Sequence, residues 1–217
     1  MPSRSRLHPK TRKAPAKVSR DAAQKQADPV LARPLTIVKG RLRGKTLPTH
    51  GSWVRPTSDY RRQMMFNRME HAEGFESFDG VRVLDVFAGT GALGLEAVSR
   101  GAKHVTFFEK HPQTFQRLRD FVVRNQLENG ARVIQTAVPT VPRADAPVDL
   151  CFLDAPYGQG LIPFAMESLK RQGWLKPQTL LITETDQKEP LPLPSWLLLT
   201  EKRQKGRTIV QFLRVEP

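Results

Sequence analysis

Residues 81–96 run Val-Arg-Val-Leu-Asp-Val-Phe-Ala-Gly-Thr-Gly-Ala-Leu-Gly-Leu-Glu, an apolar, β-branched stretch that breaks into glycines and continues in a helical pattern. Few folds accommodate such a stretch. A strand this apolar is covered on both faces, and the spacing G-x-G-x-x-G at its carboxyl end suits the tight strand-to-helix turn of a nucleotide-binding βαβ unit. Gly89 and Gly91 let the backbone turn and approach a ligand, and Gly94 lets the helix pack close to the sheet. Asp85 stands near the end of the strand, where a carboxylate can hold a cationic or hydroxyl-bearing cofactor. Glu109 ends the next apolar run, 24 residues after Asp85, close to the spacing of about 20 at which an acid meets ribose hydroxyls. Asp85, Phe87, Ala88, Gly89, Thr90, Gly91, Glu109 and Lys110 are therefore the candidate cofactor-binding residues.

A second signal narrows the cofactor. Residues 148–157 read Val-Asp-Leu-Cys-Phe-Leu-Asp-Ala-Pro-Tyr, another buried strand, ending in acid-small-proline-aromatic. Open α/β sheets bind ligands outside the carboxyl ends of their strands, so Asp85 and Asp154 are expected at one crevice. An acid beside an aromatic ring suits a planar base with an exocyclic amine: the carboxylate accepts from the NH₂ and Tyr157 stacks on the ring. Asp154, Ala155, Pro156 and Tyr157 are the candidate catalytic residues.

The rest of the chain supports an α/β reading. From Val81 onward, strands are expected at 81–86, 104–109, 131–136, 148–153 and 179–184, with helices at 91–100, 112–126 and 161–172 and a closing hairpin over 196–203 and 207–215. Such alternation builds a parallel sheet with helices on both faces. Upstream, Leu35–Lys39 and Arg41–Leu47 read as a short hairpin around Lys39-Gly40. Trp53–Pro56 is expected to be extended, and a helix capped by Thr57 or Ser58 to reach His71. The boundaries that follow are a flexible basic tail over 1–34, an N-terminal hairpin and helix over 35–72, and a catalytic domain over 73–217.

Charge is distributed unevenly along the chain. The net charge is +14, of which residues 1–34 contribute +7, residues 35–70 contribute +6, and residues 71–217 only +1. A polyanionic partner held by the N-terminal third is the expectation, with Arg41, Arg43, Lys45, Arg55, Arg61 and Arg62 as its RNA-binding residues. A single cysteine, Cys151, excludes a disulfide framework, and five scattered histidines offer no metal site. No apolar run approaches the roughly 18 residues of a membrane span. The first 20 residues are basic and free of acids, as in an organelle transit peptide, but Pro2, Pro9 and Pro15 break an amphipathic helix and favour a disordered tail.

The segments Arg41-Leu-Arg43-Gly44, Arg55-Pro56-Thr57, Asp85–Gly101 and Asp154-Ala-Pro-Tyr157 together resemble the RsmD family of bacterial 16S rRNA (guanine-N2)-methyltransferases, over about Leu35 to Val215. The resemblance implies a class I methyltransferase fold, Rossmann-like, with a seven-stranded sheet whose last strand is antiparallel. It implies S-adenosylmethionine (SAM) as cofactor, the N2 of guanine 966 as target, and a monomeric, cytoplasmic bacterial enzyme acting on 16S rRNA in an assembling small subunit. Three positions depart from the family pattern: Ala155 replaces the first proline of Asp-Pro-Pro-Tyr, Gln135-Thr-Ala137 lacks an acid for the adenine amine, and Gln63 stands where glutamate is common. These departures keep open a catalytically weakened methyltransferase fold that binds rRNA as an assembly factor. The bare glycine motif would also license a nicotinamide oxidoreductase, a reading opposed by Asp154–Tyr157 and by the lack of a second substrate domain.

Overall fold

The computed structural model describes residues 34–48 and 56–217. The expected basic tail up to residue 33, the extended run over 53–55, and Arg55 lie outside the described residues. In chain order the elements are α1 (Pro56–Ala72), β1 (Arg82–Val86), α2 (Ala92–Ser99), β2 (His104–Glu109), α3 (Pro112–Arg124), β3 (Ala131–Gln135), β4 (Val148–Asp154), α4 (Leu161–Arg171), β5 (Leu175–Asp186), β6 (Leu197–Lys205) and β7 (Thr208–Val215). The strands form one seven-stranded sheet in the order β3-β2-β1-β4-β5-β7-β6. The first five are parallel, and β7 pairs antiparallel with both β5 and β6.

The strand sequences explain the two-faced burial. Successive residues of a strand point to opposite faces, and both faces here are apolar. Val83, Phe107, Phe152, Ile182 and Phe212 enter one core with the inner faces of α1, α2 and α3. Leu84, Phe108, Cys151, Leu153 and Leu213 enter a second core, closed by α4 and Trp174. Cys151 is a fully buried packing residue, and burial pushes its thiol pKa up. No described helix is long and apolar enough to cross a membrane.

Residues 35–47 share the first core through Leu35, Ile37, Leu42 and Leu47. The expected pair of strands is not formed: one isolated bridge, Thr36 to Thr46, flanks a turn over 39–44. The backbone donors go to α2 instead. Glu96 accepts from the amides of Val38 (2.9 Å) and Lys39 (3.0 Å), and the Ser99 hydroxyl accepts from the amide of Leu42 (2.9 Å). Gly40 lies so close to Ser99, at φ +86°, that a Cβ would collide with the Ser99 carbonyl. A second difference is at α1, which begins at Pro56, so Thr57 and Ser58 lie within the helix. Proline suits a first helical position because its missing N–H would have had no intrahelical partner.

Candidate active site

The carboxyl ends of β1, β2, β4 and β5 open into a cavity of about 620 Å³, lined among others by Phe87, Gly89, Glu109, Asp154, Tyr157 and Glu184. The strand order changes direction between β1 and β4, the place where open α/β sheets bind ligands. Glu109 on β2 and Asp154 on β4 are separated by two strand spacings, about 10 Å. The cavity therefore has an acid toward each end of its floor, and Phe108, Val138 and Val141 add apolar lining.

The glycine loop takes its shape from three residues with left-handed backbones: Phe87 (φ +66°), Gly89 (φ +53°) and Gly91 (φ +74°). Phenylalanine seldom adopts this conformation, and a residue so strained persists only where its surroundings over-determine it. Here the Ala88 amide donates to the Phe108 carbonyl (2.9 Å), and the Gly91 amide donates to the Ala88 carbonyl (2.7 Å). Glu109 completes the brace. Its two carboxylate oxygens accept from the amides of Gly89 (2.8 Å) and His111 (2.6 Å). Each carboxylate oxygen retains accepting capacity beyond one amide, so Glu109 can hold the loop and still receive hydroxyl donors.

Asp85 corrects one expectation. It is 2% exposed and lies behind the loop, not among the cavity-lining residues. Its Oδ2 accepts from the Gly94 amide at 2.9 Å, within the first turn of α2, where the cap residue Gly91 has no side chain to do so. Burial, and less strongly the carboxylates of Asp154 and Glu109, push its pKa up to about 8 against the Gly94 hydrogen bond. Asp85 thus sets the position of the loop. Of the other loop residues named above, Phe87, Gly89, Glu109 and Lys110 line the cavity, while Ala88, Thr90 and Gly91 do not.

All four residues Asp154, Ala155, Pro156 and Tyr157 line the cavity. The Asp154 side chain is open to it, and Tyr157 is 44% exposed, its ring available from the cavity. Sequence reasoning passed over Glu184. It is the register partner of Asp154 on β5 and only 5% exposed. The Tyr157 hydroxyl donates to Glu184 at 2.6 Å, and Arg61 lies 3.3 Å from the same carboxylate while donating to the Thr208 hydroxyl at 2.9 Å. Although Asp154 reaches the open cavity, desolvation by the protein that encloses the crevice, followed by the Glu184 charge, pushes its pKa up to about 7, opposed by Arg61. Burial and the hydrogen bond to Glu184 push the Tyr157 phenol up to about 12. The one available signal for Glu184 was an acid at the carboxyl end of an apolar strand adjoining the Asp154 strand.

The candidate RNA-binding cations separate into three environments. Arg61 lines the cavity. Arg62 does not face a partner: it is 4% exposed, donates to the Thr36 carbonyl at 2.5 Å, and lies 3.1 Å from Asp59 and 3.6 Å from Glu96. It braces residues 35–47 against α1 and α2, which corrects its assignment as a phosphate contact. Arg41, Arg43 and Lys45 are exposed. The Arg41 amide donates to Ser99 at the end of α2 remote from the cavity, about 12 Å along an eight-residue helix. Near the third strand, Thr136 and Ala137 line the cavity without a carboxylate, and the Ala137 carbonyl is occupied by the amide and hydroxyl of Thr140, both at 2.8 Å.

Comparison with known proteins adds a family to this geometry. The profile of the family described as Conserved hypothetical protein 95 matches residues 35–214. The protein named Ribosomal RNA small subunit methyltransferase D of Haemophilus influenzae is 35% identical over 173 residues, covering 76% of this chain and 86% of its own. Its namesake from Escherichia coli K12 is 32% identical over 171 residues, covering 77% and 84%. The solved structure of the Escherichia coli protein yhhF, 30% identical, superposes with a TM-score of 0.72 over 83% of this chain and 97% of that one. The matched span runs from the first core residue, Leu35, into the last strand, and on that basis the chain belongs to the Conserved hypothetical protein 95 family, the RsmD family of methyltransferases.

Proposed function

We propose that this protein transfers a methyl group from SAM to the exocyclic N2 of a guanine in small-subunit rRNA, with guanine 966 as the target, acting as a monomer on the RNA of an assembling subunit. The observation that carries the reading is the single cavity with Glu109 and the glycine loop toward one end and Asp154–Tyr157 toward the other. Its volume lies within the range of small-molecule and cofactor sites. The donor set fits SAM: Glu109 has accepting capacity for ribose hydroxyls, Phe87 and Gly89 border the same space, and Phe108, Val138 and Val141 offer apolar contact to a purine.

When bound, SAM supplies an electrophilic methyl group on a sulfonium. The protein's share is positioning, because guanine N2 is a poor nucleophile whose lone pair is delocalised into the ring. Asp154 accepts one amine hydrogen and the Ala155 carbonyl a second, which turns the lone pair away from the ring plane. The face of Tyr157 holds the extruded base, and the hydrogen bond from its hydroxyl to Glu184 holds the ring in orientation. With its pKa near 7, Asp154 can take the proton that N2 releases after transfer and pass it to water. Alanine at 155 retains the backbone carbonyl and gives up only the fixed φ of proline.

The test is transfer of labelled methyl groups from SAM to unmodified small-subunit rRNA, followed by mass-spectrometric mapping of the product. Methylation at guanine N2 is expected. A folded protein that binds SAM yet leaves the RNA unmodified overturns the activity and returns the chain to a binding role.

A further inference from the structure

The exposed ring of Tyr60 on α1 and the tip of the β6–β7 hairpin enclose two adjoining hollows outside the catalytic cavity. Each is about 380 Å³, and they share Tyr60, Met64 and Arg203. The first also shares Arg61 with the catalytic cavity, and Thr208, which lines it, accepts a hydrogen bond from Arg61 and lies 3.5 Å from the Tyr157 hydroxyl. The two hollows thus continue the catalytic cavity as a trough along α1.

No carboxylate lines either hollow. Residues 202–207 carry Lys202, Arg203, Lys205 and Arg207. Arg203 is paired with Glu201, and Arg207 with Asp186. Among the described residues neither Lys202 nor Lys205 has a carboxylate partner, but Lys202 alternates with Arg203 onto the opposite face of the sheet and lines neither hollow. Lys205 instead holds its ammonium 3.5 Å from the centre of the Tyr60 ring, which is nevertheless 54% exposed. Gln63 and Asn67 line the farther hollow with amides that can both donate and accept. A flat aromatic face with a free cation beside it and no carboxylate in the lining is the chemistry of a single-stranded nucleic-acid track.

We propose that this trough holds the RNA strand flanking the target nucleotide, with a neighbouring base stacked on Tyr60 and its phosphate on Lys205. The proposal rests on the reading of the catalytic cavity as an RNA methyltransferase site. It locates the strand on α1 and the closing hairpin, at the cavity mouth, whereas Arg41, Arg43 and Lys45 lie toward the far end of α2.

The test uses the full chain, fluorescence anisotropy with a labelled single-stranded oligoribonucleotide of mixed sequence, and methyl transfer to naked small-subunit rRNA. Tyr60→Ala should weaken RNA affinity about five- to 150-fold, the range of a lost stacking platform, while Tyr60→Phe stays near the parent. Lys205→Ala should make the slope of log affinity against log salt shallower by about 0.7, the value per cation for single strands. SAM affinity by calorimetry and the thermal melt should not change. Folded variants with parental RNA affinity and salt slope overturn the trough, while methylation by the parent would leave the catalytic reading standing. Variants that bind naked RNA normally but lose binding to the assembled subunit also overturn it, in favour of a protein contact. A parent that neither binds nor methylates RNA overturns the catalytic reading, and the trough with it.

Discussion

Asp154 and Glu184 stand opposite each other on adjacent parallel strands, and their mutual repulsion within a crevice makes protonation of Asp154 the event to follow. The ionised carboxylate accepts an amine hydrogen more strongly than the acid does, and only it can take up the proton that N2 releases. The single-turnover methylation rate should therefore rise with pH through about 7 and level off above it, measured with SAM saturating. Asp154→Ala should lower that rate far more than it weakens SAM binding, because the lost contact is to the base. Parental turnover in a folded Asp154→Ala variant would remove the residue from the chemistry. Asp85 gives a stability prediction of definite sign. Its folded pKa, about 8, lies above the value of about 4 for an unfolded carboxyl. Its contribution is fully present below the unfolded pKa and is lost as pH rises through the folded one. Asp85→Asn keeps an oxygen acceptor for the Gly94 amide and removes the titration. Its melting temperature should match the parent near pH 4 and fall less between pH 4 and 8, as thermal melts across that range would reveal.

At the scale of elements, the strand–turn–helix unit depends on a close approach that one methyl group would spoil. A Cβ at residue 94 would come within 2.3 Å of the Phe107 ring and 3.0 Å of Asp85. Gly94→Ala should cost about 1–3 kcal/mol in denaturant unfolding, the scale of overpacking a dense core. Parental stability would show that α2 can move off the sheet. Elements with a strong period were legible in the residues: each strand from β1 to β7, and the helices α2 to α4, lie close to their expected spans. The segment 35–47 was not. Its apolar spacing reads as a hairpin, but local pattern cannot register that a buried carboxylate 57 residues away would take the amide of Lys39. Arg62 was misread for the same reason. A lone arginine in a basic stretch looks solvent-facing until Glu96 and the Thr36 carbonyl are brought around it.

For the whole molecule, the uneven charge separates attraction from recognition. Removing residues 1–34, which carry half of the net +14, should flatten the salt dependence of rRNA binding and leave the methylated nucleotide unchanged. Contacts to phosphate attract and orient without reading sequence. Mass-spectrometric mapping of the modified site for the truncated protein is the check. A new target nucleotide would mean that the tail itself reads the substrate. The near-neutral region 71–217 hides an asymmetry of its own. Four of its cations lie in the tip 202–207, and folding brings that tip against Tyr60 of α1.

What the residues determine by themselves is the sheet architecture, the glycine loop, Glu109 and the Asp154–Tyr157 corner, because each depends on periodicity or on a short spacing within one strand–loop unit. Tertiary structure decides everything that depends on partners distant in sequence. Asp85 turns inward to hold α2, and Arg62 becomes a buried brace. Glu184 joins Asp154 through strand register, and Tyr60 meets Lys205 across 145 positions. Linear order carries no direct record of such pairs, since they are brought together by the sheet order and by the burial that closes the two cores.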